Sequence, residues 1–197
     1  MPFKFISEKV PTVIEELCHQ FSLADLRKST NNFDQKRVLG RGGFAEVYKG
    51  YLQHNGASDY TVAVKRFNAE DVEGCKEFRN EIELLCQLRH PNCVSIIGFC
   101  NHKKWKILVY EFMSNGSLDR YLRGRDTEAL SWKKRLEICI GTARALHYLH
   151  AGVKRIIIHR DVGLANILLN DNMEPKLASF DLAYREHILC QSQNQLK

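Results

Sequence analysis

The chain has 197 residues, 44% of them hydrophobic and 26% charged, which is enough to bury a core and excludes a disordered or collagen-like polymer. There are 29 Lys and Arg against 23 Asp and Glu, a formal net charge of +6. The basic residues are scattered (Lys103, Lys104, Lys106; Lys133, Lys134, Arg135; Lys154, Arg155) rather than massed on one element, so nucleic-acid binding is not expected. No apolar run reaches the ~18 residues of a membrane span, and Met1-Pro2-Phe3-Lys4 leads into charged sequence rather than a signal segment. The expectation is a chain without a transmembrane segment, cytoplasmic or held at the inner face of the plasma membrane through partners.

Seven cysteines (Cys18, Cys75, Cys86, Cys93, Cys100, Cys139, Cys190) include no CxxC pair and read as reduced, mostly buried small hydrophobes. Cys86, His90, Cys93, Cys100 and His102 lie near one another in sequence, but their spacings fit no common zinc template.

In chain order, residues 1–32 form a polar lead-in with two short helix signals. These are Thr12-x-x-Glu15 before Leu17 and Ser22-x-x-Asp25 before Leu26. From Lys36 to Phe67 the pattern is strand-like, with a turn-rich Asn55-Gly56-Ala57-Ser58-Asp59 loop. A helix follows, then short strands at Val94–Cys100 and Lys106–Glu111. A long helix opens at Ser131 as N-cap and runs to His150, with Leu136, Ile140, Ala143, Leu146 and His150 as its expected inward stripe. Strands first and helices later predict an α+β fold.

Three motifs carry chemistry. Gly40-Arg41-Gly42-Gly43-Phe44-Ala45-Glu46-Val47 lies between strand signals, where glycines let main-chain N–H groups approach a phosphate; alone, it reads equally as a tight turn. On the next helix Phe78, Glu81, Ile82 and Leu85 fall at i, i+3, i+4 and i+7, which puts a carboxylate on the apolar stripe. Burial of that charge demands a cation, and Lys65 at the end of Val62-Ala63-Val64-Lys65 is the natural one; otherwise Glu81 lies at the stripe's edge and reaches water. The third motif is Ile158-His159-Arg160-Asp161, followed five residues after Asp161 by Asn166.

In this order the motifs are those of a protein kinase. The chain from about Phe33 to Tyr184 resembles the plant receptor-like kinases and their Pelle and interleukin-receptor-associated relatives. Leu108-Val109-Tyr110-Glu111-Phe112-Met113 and the lead-in from Phe21-Ser22-Leu23 to Thr30-Asn31-Asn32-Phe33 share in that resemblance. The resemblance implies a protein-kinase-like fold with a complete N-lobe, antiparallel sheet plus one helix, and the first part of a helical C-lobe. The implied divisions are a juxtamembrane-like lead-in (1–32), N-lobe and hinge (33–113), partial C-lobe (114–184) and an unstructured tail (185–197).

It also implies roles. Gly40, Gly42 and Val47 would cover ATP, with Val47 and Ala63 above the adenine and Leu168 below. Lys65, oriented by Glu81, would hold the α and β phosphates. Tyr110 would be the gatekeeper, with the Glu111 carbonyl and the Met113 N–H bonding the adenine edge. Asp161 would be the catalytic base and Asn166 a magnesium ligand.

Departures from the family pattern shape the functional expectation. Ala45 stands for the third glycine, Gly163 for a lysine that contacts the transferred phosphate, and Ser179 for the metal-binding aspartate in Lys176-Leu177-Ala178-Ser179-Phe180-Asp181. Two residues of extended chain span up to ~7 Å, so Asp181 is expected to fall short of the lost position while Phe180 keeps its core place. The segment after Ala183 shows no Ala-Pro-Glu motif, so Arg160 is expected to lack a loop to grip, and the chain reads as C-terminally truncated. The expectation is an ATP-binding pseudokinase or signalling interaction module with magnesium weak or dispensable. Its expected partners are nucleotide and another kinase or receptor cytoplasmic domain. Two alternatives stay open: a weak protein Ser/Thr kinase, and a truncated gene product with no stable role.

Overall fold

A computed structural model describes residues 12–53, 60–123 and 129–186. The Asn55–Asp59 loop and residues 187–197 of the expected tail lie outside the described residues, whereas Arg185, expected to open an unstructured tail, pairs in a strand with Ile157. The main sheet contains β1 (His19–Gln20), β2 (Val38–Arg41), β3 (Ala45–Leu52), β4 (Tyr60–Asn68), β5 (Ile96–Asn101) and β6 (Trp105–Glu111), in the order β1-β5-β6-β4-β3-β2. Strands β2 to β6 pair antiparallel, as expected, whereas β1 adds parallel to β5 through His19↔Gly98 and Gln20↔Phe99. A Cβ at Gly98 would sit 2.2 Å from the His19 carbonyl oxygen, so only glycine admits β1 at this edge.

Side chains alternate across the sheet and divide it into two buried faces. On the back, Tyr48, Val62, Val64, Ile107 and Val109 pack against Leu26 and Phe33. Leu26 belongs to α2 (Leu23–Ser29), started where expected by Ser22, whose Oγ accepts the Asp25 N–H at 3.1 Å. Leu26 thus brings this part of the lead-in into the small lobe's core.

The front face meets α3 (Val72–Leu85), capped by Asp71, which accepts the N–H groups of Glu73 and Gly74. Phe78, Ile82 and Leu85 are buried, and so is Glu81, at 1% exposure, on the same stripe. The 3.6-residue period therefore placed the carboxylate inside correctly.

Beyond β6 come β7 (Gly116–Ser117), α4 (Leu118–Arg123), α5 (Trp132–His147), β8 (Ile157–Ile158), β9 (Ile167–Leu169), β10 (Pro175–Leu177) and β11 (Tyr184–Arg185). Helix α5 starts after Ser131, whose Oγ accepts the Lys134 N–H, and passes into a π-helical turn over Tyr148–Gly152. Its inward face is not the expected one. Ile138, Gly141, Thr142, Ala145 and Leu149 are buried, while Leu136 and Ile140 are 45% and 52% exposed and Ala143 and His150 face solvent. The reason is close packing on β10. A Cβ at Gly141 would lie 2.4 Å from Pro175 Cγ, so the helix can approach only with its small-residue face.

Candidate functional site

Strand register brings the upper part of the site together. Val47 pairs with Lys65, Ala63 with Tyr110 and Lys65 with Leu108, so Val47, Ala63, Lys65 and Tyr110 share the front face. Gly40 sits in β2 opposite Val47, and the hairpin closes through the Gly42 N–H on the Ala45 carbonyl at 2.8 Å.

The expected pair forms. Lys65 Nζ stands 2.7 Å from Glu81 Oε2, with side-chain exposures of 13% and 2%. The other Glu81 oxygen, Oε1, accepts the Phe180 N–H at 3.4 Å, so one carboxylate joins sheet, helix and the Ser179-Phe180-Asp181 turn. Burial works against the Lys65 charge, but Glu81, and after it Asp181, outweigh it and hold the ammonium's pKa above its ordinary value.

Asp181 corrects a sequence expectation. Its Oδ1 reaches to 3.6 Å from Lys65 Nζ while Phe180 stays fully buried in the core. The expected shortfall holds for extended chain, whereas Ser179 takes a left-handed φ of 62° and Ala183 donates its N–H back to Phe180, folding the segment on itself. Asn80, one residue before Glu81, donates its side-chain amide to the carbonyls of Asp181 and Ala183, both at 2.7 Å, and clamps the turn to α3. Glu77, on the same helix, has its pKa raised by burial and then by Asp181. Tyr110 is buried beside Glu81 with its hydroxyl lacking a hydrogen bond of ordinary length, and its pKa is pushed well up by burial and then by that carboxylate.

The hinge follows β6. Met113 is 6% exposed, and its carbonyl accepts the Gly116 N–H. Glu111 accepts the Ser95 N–H at 2.7 Å, and Lys176 of β10 grips its carboxylate with contacts of 2.8 and 2.9 Å, tying the hinge to the large lobe. Leu168, half-buried in β9, packs against the main core from below.

In the lower loop, Asn166 donates its amide to the Asp161 carboxylate at 2.8 Å and to the Asp161 carbonyl at 3.0 Å, so the two residues are held as one unit. His159, 1% exposed, accepts the Asp161 N–H at Nδ1 and lies 3.0 Å from the Ala178 carbonyl through Nε2, which fixes the neutral Nε2–H form. Burial pushes its pKa down, against the Ala178 carbonyl and the surrounding carboxylates. Arg160, expected to lack a loop to grip, donates to the Leu182 carbonyl at 2.5 Å and lies over the Tyr184 ring.

A hard dication asks for charged oxygens. Ser179 offers only a neutral hydroxyl, Asn166 has its amide nitrogen on Asp161 and would offer its side-chain oxygen, and the Asp181 oxygen that lacks a hydrogen bond is already paired by charge with Lys65. Among the described residues no group of three His, Cys, Asp or Glu is placed to hold a metal ion.

The structure brings Lys65 to Glu81 and Asp161 to Asn166, while Asn80, the Glu111–Lys176 tie and His159 as a support were not anticipated from the sequence. Asn80 carried one usable signal, an amide beside an inward carboxylate on the same helix.

A sheet-and-helix lobe carrying the Lys65–Glu81 pair, joined by a hinge to a lobe carrying Asp161 and Asn166, defines a protein kinase domain. The chain belongs to the protein tyrosine and serine/threonine kinase family, whose sequence pattern it matches over residues 33–195. It is similar to receptor-like protein kinases of Arabidopsis thaliana. Identity is 52% over 163 residues with THESEUS 1 (83% of this chain, 19% of that one) and 49% over 165 residues with HERK 1 (84% and 19%). With FERONIA it is 47% over 167 residues (85% and 18%). The chain thus spans about one fifth of the length of these relatives.

Proposed function

We propose that the chain is a nucleotide-binding module of the receptor-like Ser/Thr kinase family with little phosphotransfer, acting as a pseudokinase or signalling interaction domain. The observation that carries this reading is the position of Asp181, whose carboxylate faces Lys65 where nucleotide phosphates would have to pair. ATP or ADP enters under the Gly40–Val47 hairpin, with Val47 and Ala63 above the adenine, Leu168 below, and the Glu111 carbonyl and Met113 N–H at its edge. Lys65, held by Glu81, takes the phosphates in exchange for Asp181.

Magnesium is weak or dispensable in this reading. When bound, it would neutralise charge between the β and γ phosphates. Ser179 supplies no carboxylate for that task, and Gly163 supplies no cation for the moving phosphoryl group. By analogy with removal of one preorganised charge-stabilising group, each loss lowers the rate by roughly two decades.

The division into lead-in (1–32), N-lobe and hinge (33–113) and C-lobe segment (114–184) belongs to the same reading. No helix among the described residues is long and apolar enough to cross a membrane. We place the domain in the cytoplasm, at the inner face of the plasma membrane through partners such as another kinase or receptor cytoplasmic domain. Trp132, Leu136 and Ile140, 74%, 45% and 52% exposed on α5, offer such a partner an apolar face.

A second reading, weak Ser/Thr kinase activity, draws on the Asp161–Asn166 unit, which keeps a carboxylate positioned to accept the proton of a substrate hydroxyl. Transfer of labelled γ-phosphate from ATP to a generic Ser/Thr protein substrate separates the two. Background counts, equal in wild type and Asp161→Asn, support the module. Transfer abolished by Asp161→Asn supports the enzyme.

A further inference from the structure

The turn over residues 179–183 is held by side chains from both lobes. Asn80 of α3 donates its amide to the carbonyls of Asp181 and Ala183, both at 2.7 Å, and to that of Phe180 at 3.3 Å. From the other side Arg160 donates to the Leu182 carbonyl, so four consecutive carbonyls, 180 to 183, are taken by two side chains. Beyond the turn, Tyr184 and Arg185 pair with Ile158 and Ile157, and the Glu186 N–H bonds the Ile156 carbonyl at 2.9 Å. Resting on the nucleotide-binding reading of the cleft, we propose that Asn80 is a positioning residue: it keeps the Asp181 carboxylate where a nucleotide phosphate would pair with Lys65. The cleft then takes a nucleoside freely, and its phosphates only as the Asn80 contacts give way.

The carboxylate does not hold itself in place. Asp181 Oδ1 is buried without a hydrogen-bond donor, and Lys65 Nζ stands 3.6 Å away, beyond ordinary hydrogen-bond reach. Such an oxygen has lost water without gaining a donor, which costs free energy. An aspartate side chain is short, so the place of its carboxylate follows the main chain that carries it. That main chain is fixed by Asn80 on the small-lobe side and Arg160 on the large-lobe side.

The clamp has a firm base. Phe78, Ile82 and Leu85 bury the same helix in the core, and Ile14 of α1 (Thr12–Leu17) joins that cluster. Glu81, the next residue, holds Lys65 at 2.7 Å, so α3 sets the cation directly and, through Asn80, the anion that faces it. A neutral amide suits the task, since it brings donor hydrogens to carbonyls without adding charge beside Lys65.

The consequence divides ligands by charge. A nucleoside brings no charge to Lys65 and does not contest Asp181. A diphosphate brings anionic oxygens to a cation already paired with Glu81 and Asp181, and like charges in a partly buried cleft repel. Entry of phosphate and closure of the turn on Asn80 therefore oppose each other, and loosening Asn80 raises affinity for phosphates alone.

The test titrates adenosine and ADP, in EDTA, into the whole 197-residue chain, Asn80→Ala, Asp181→Asn and the double variant. Asn80→Ala should bind ADP about 5-fold more tightly, as Asp181→Asn does, with adenosine affinity unchanged. The double variant should gain no more than Asp181→Asn alone, because both changes remove one competitor. Hydrogen exchange at the Ala183 amide should quicken in Asn80→Ala while Val64 and Leu85 stay slow. If that variant loses the slow exchange of Val64 and Leu85, Asn80→Ser, which leaves one donor for three carbonyls, makes the same comparison with a smaller gain expected. ADP affinity unchanged or weakened on loss of Asn80, gains that multiply in the double variant, or an equal gain for adenosine overturns the clamp alone. Failure of adenosine and ADP alike to bind the wild type overturns it together with the nucleotide reading.

Discussion

Asp181 Oδ1 stands 3.6 Å from Lys65 Nζ, and that buried oxygen has no hydrogen-bond partner. Glu81 holds the same ammonium at 2.7 Å, so Lys65 serves two carboxylates from opposite sides of the cleft. A nucleotide phosphate must displace the Asp181 charge. Asp181→Asn is therefore expected to tighten magnesium-free ADP binding by about 5-fold, the equivalent of ~1 kcal/mol for a partly buried ion pair. Fluorescence titration checks this, and an unchanged or weakened affinity would count against competition at Lys65.

Glu81 joins Lys65 to the Phe180 N–H, and both connections are buried. Glu81→Ala should cost about 3 kcal/mol in denaturant unfolding, because it strands the Phe180 N–H and leaves the buried Lys65 ammonium with only the longer Asp181 contact. Glu81→Gln, which keeps an acceptor for Phe180, should cost less. Equal losses for the two variants would show that the Phe180 contact contributes nothing.

Restoring the family residues should change metal dependence. The triple variant Ser179→Asp, Asp181→Gly, Gly163→Lys returns a carboxylate and a cation, and a Cβ at position 163 meets no heavy atom within 4 Å. Magnesium should then strengthen ATP binding by roughly 10-fold or more, a gain of at least ~1.4 kcal/mol. A variant that folds but binds ATP equally with and without magnesium would contradict the account of Ser179.

His159 and His90 both have pKa values lowered first by burial, His90 additionally by Arg144. Their folded-state values lie below the ordinary ~6.5, so near pH 6 the unfolded chain binds more protons than the folded one. Stability from these groups is complete above about pH 6.5 and is lost as pH falls through the depressed values. Thermal midpoints should fall between about pH 7 and about pH 5, with a shallower slope in His159→Gln. An identical slope in that variant would remove His159 from the explanation.

Helix α5 offers a packing test. Gly141→Ala gains about 1 kcal/mol of helix propensity but drives a methyl to 2.4 Å from Pro175 Cγ, a ring that cannot rotate away. Net destabilisation of ~1–2 kcal/mol is expected. Hydrogen exchange should show the amides of Ile138, Thr142 and Ala145 protected together with those of Val64 and Leu85. Fast exchange through α5 would mean that its contact with β10 is not stable.

What was legible in the sequence depended on whether one signal or two competed. Phe78, Glu81, Ile82 and Leu85 left α3 a single apolar stripe, so spacing pointed to an inward carboxylate with Lys65 as its natural partner, although it left a position at the stripe's edge open. Helix α5 carries two apolar stripes, and Leu136, Ile140 and Leu146 outweigh Ile138, Ala145 and Leu149 in bulk. The smaller stripe is buried because β10 leaves room only for Gly141. Asp181 was misplaced for a different reason, since a left-handed serine is a backbone feature that side-chain spacing does not reveal. The packing of Leu26 and Phe33 on the back of the sheet had no local signal either, because it depends on strands far along the chain.

Whether nucleotide binds at Lys65 without strict need for magnesium is decided by isothermal titration of ATP into the wild type and into Lys65→Ala, each in EDTA and in excess magnesium. Measurable binding to the wild type in EDTA is expected, with little gain from magnesium and at least a 10-fold loss in Lys65→Ala, a difference of ~1.4 kcal/mol or more. Binding that appears only with magnesium, or that survives unchanged in Lys65→Ala, would contradict that expectation.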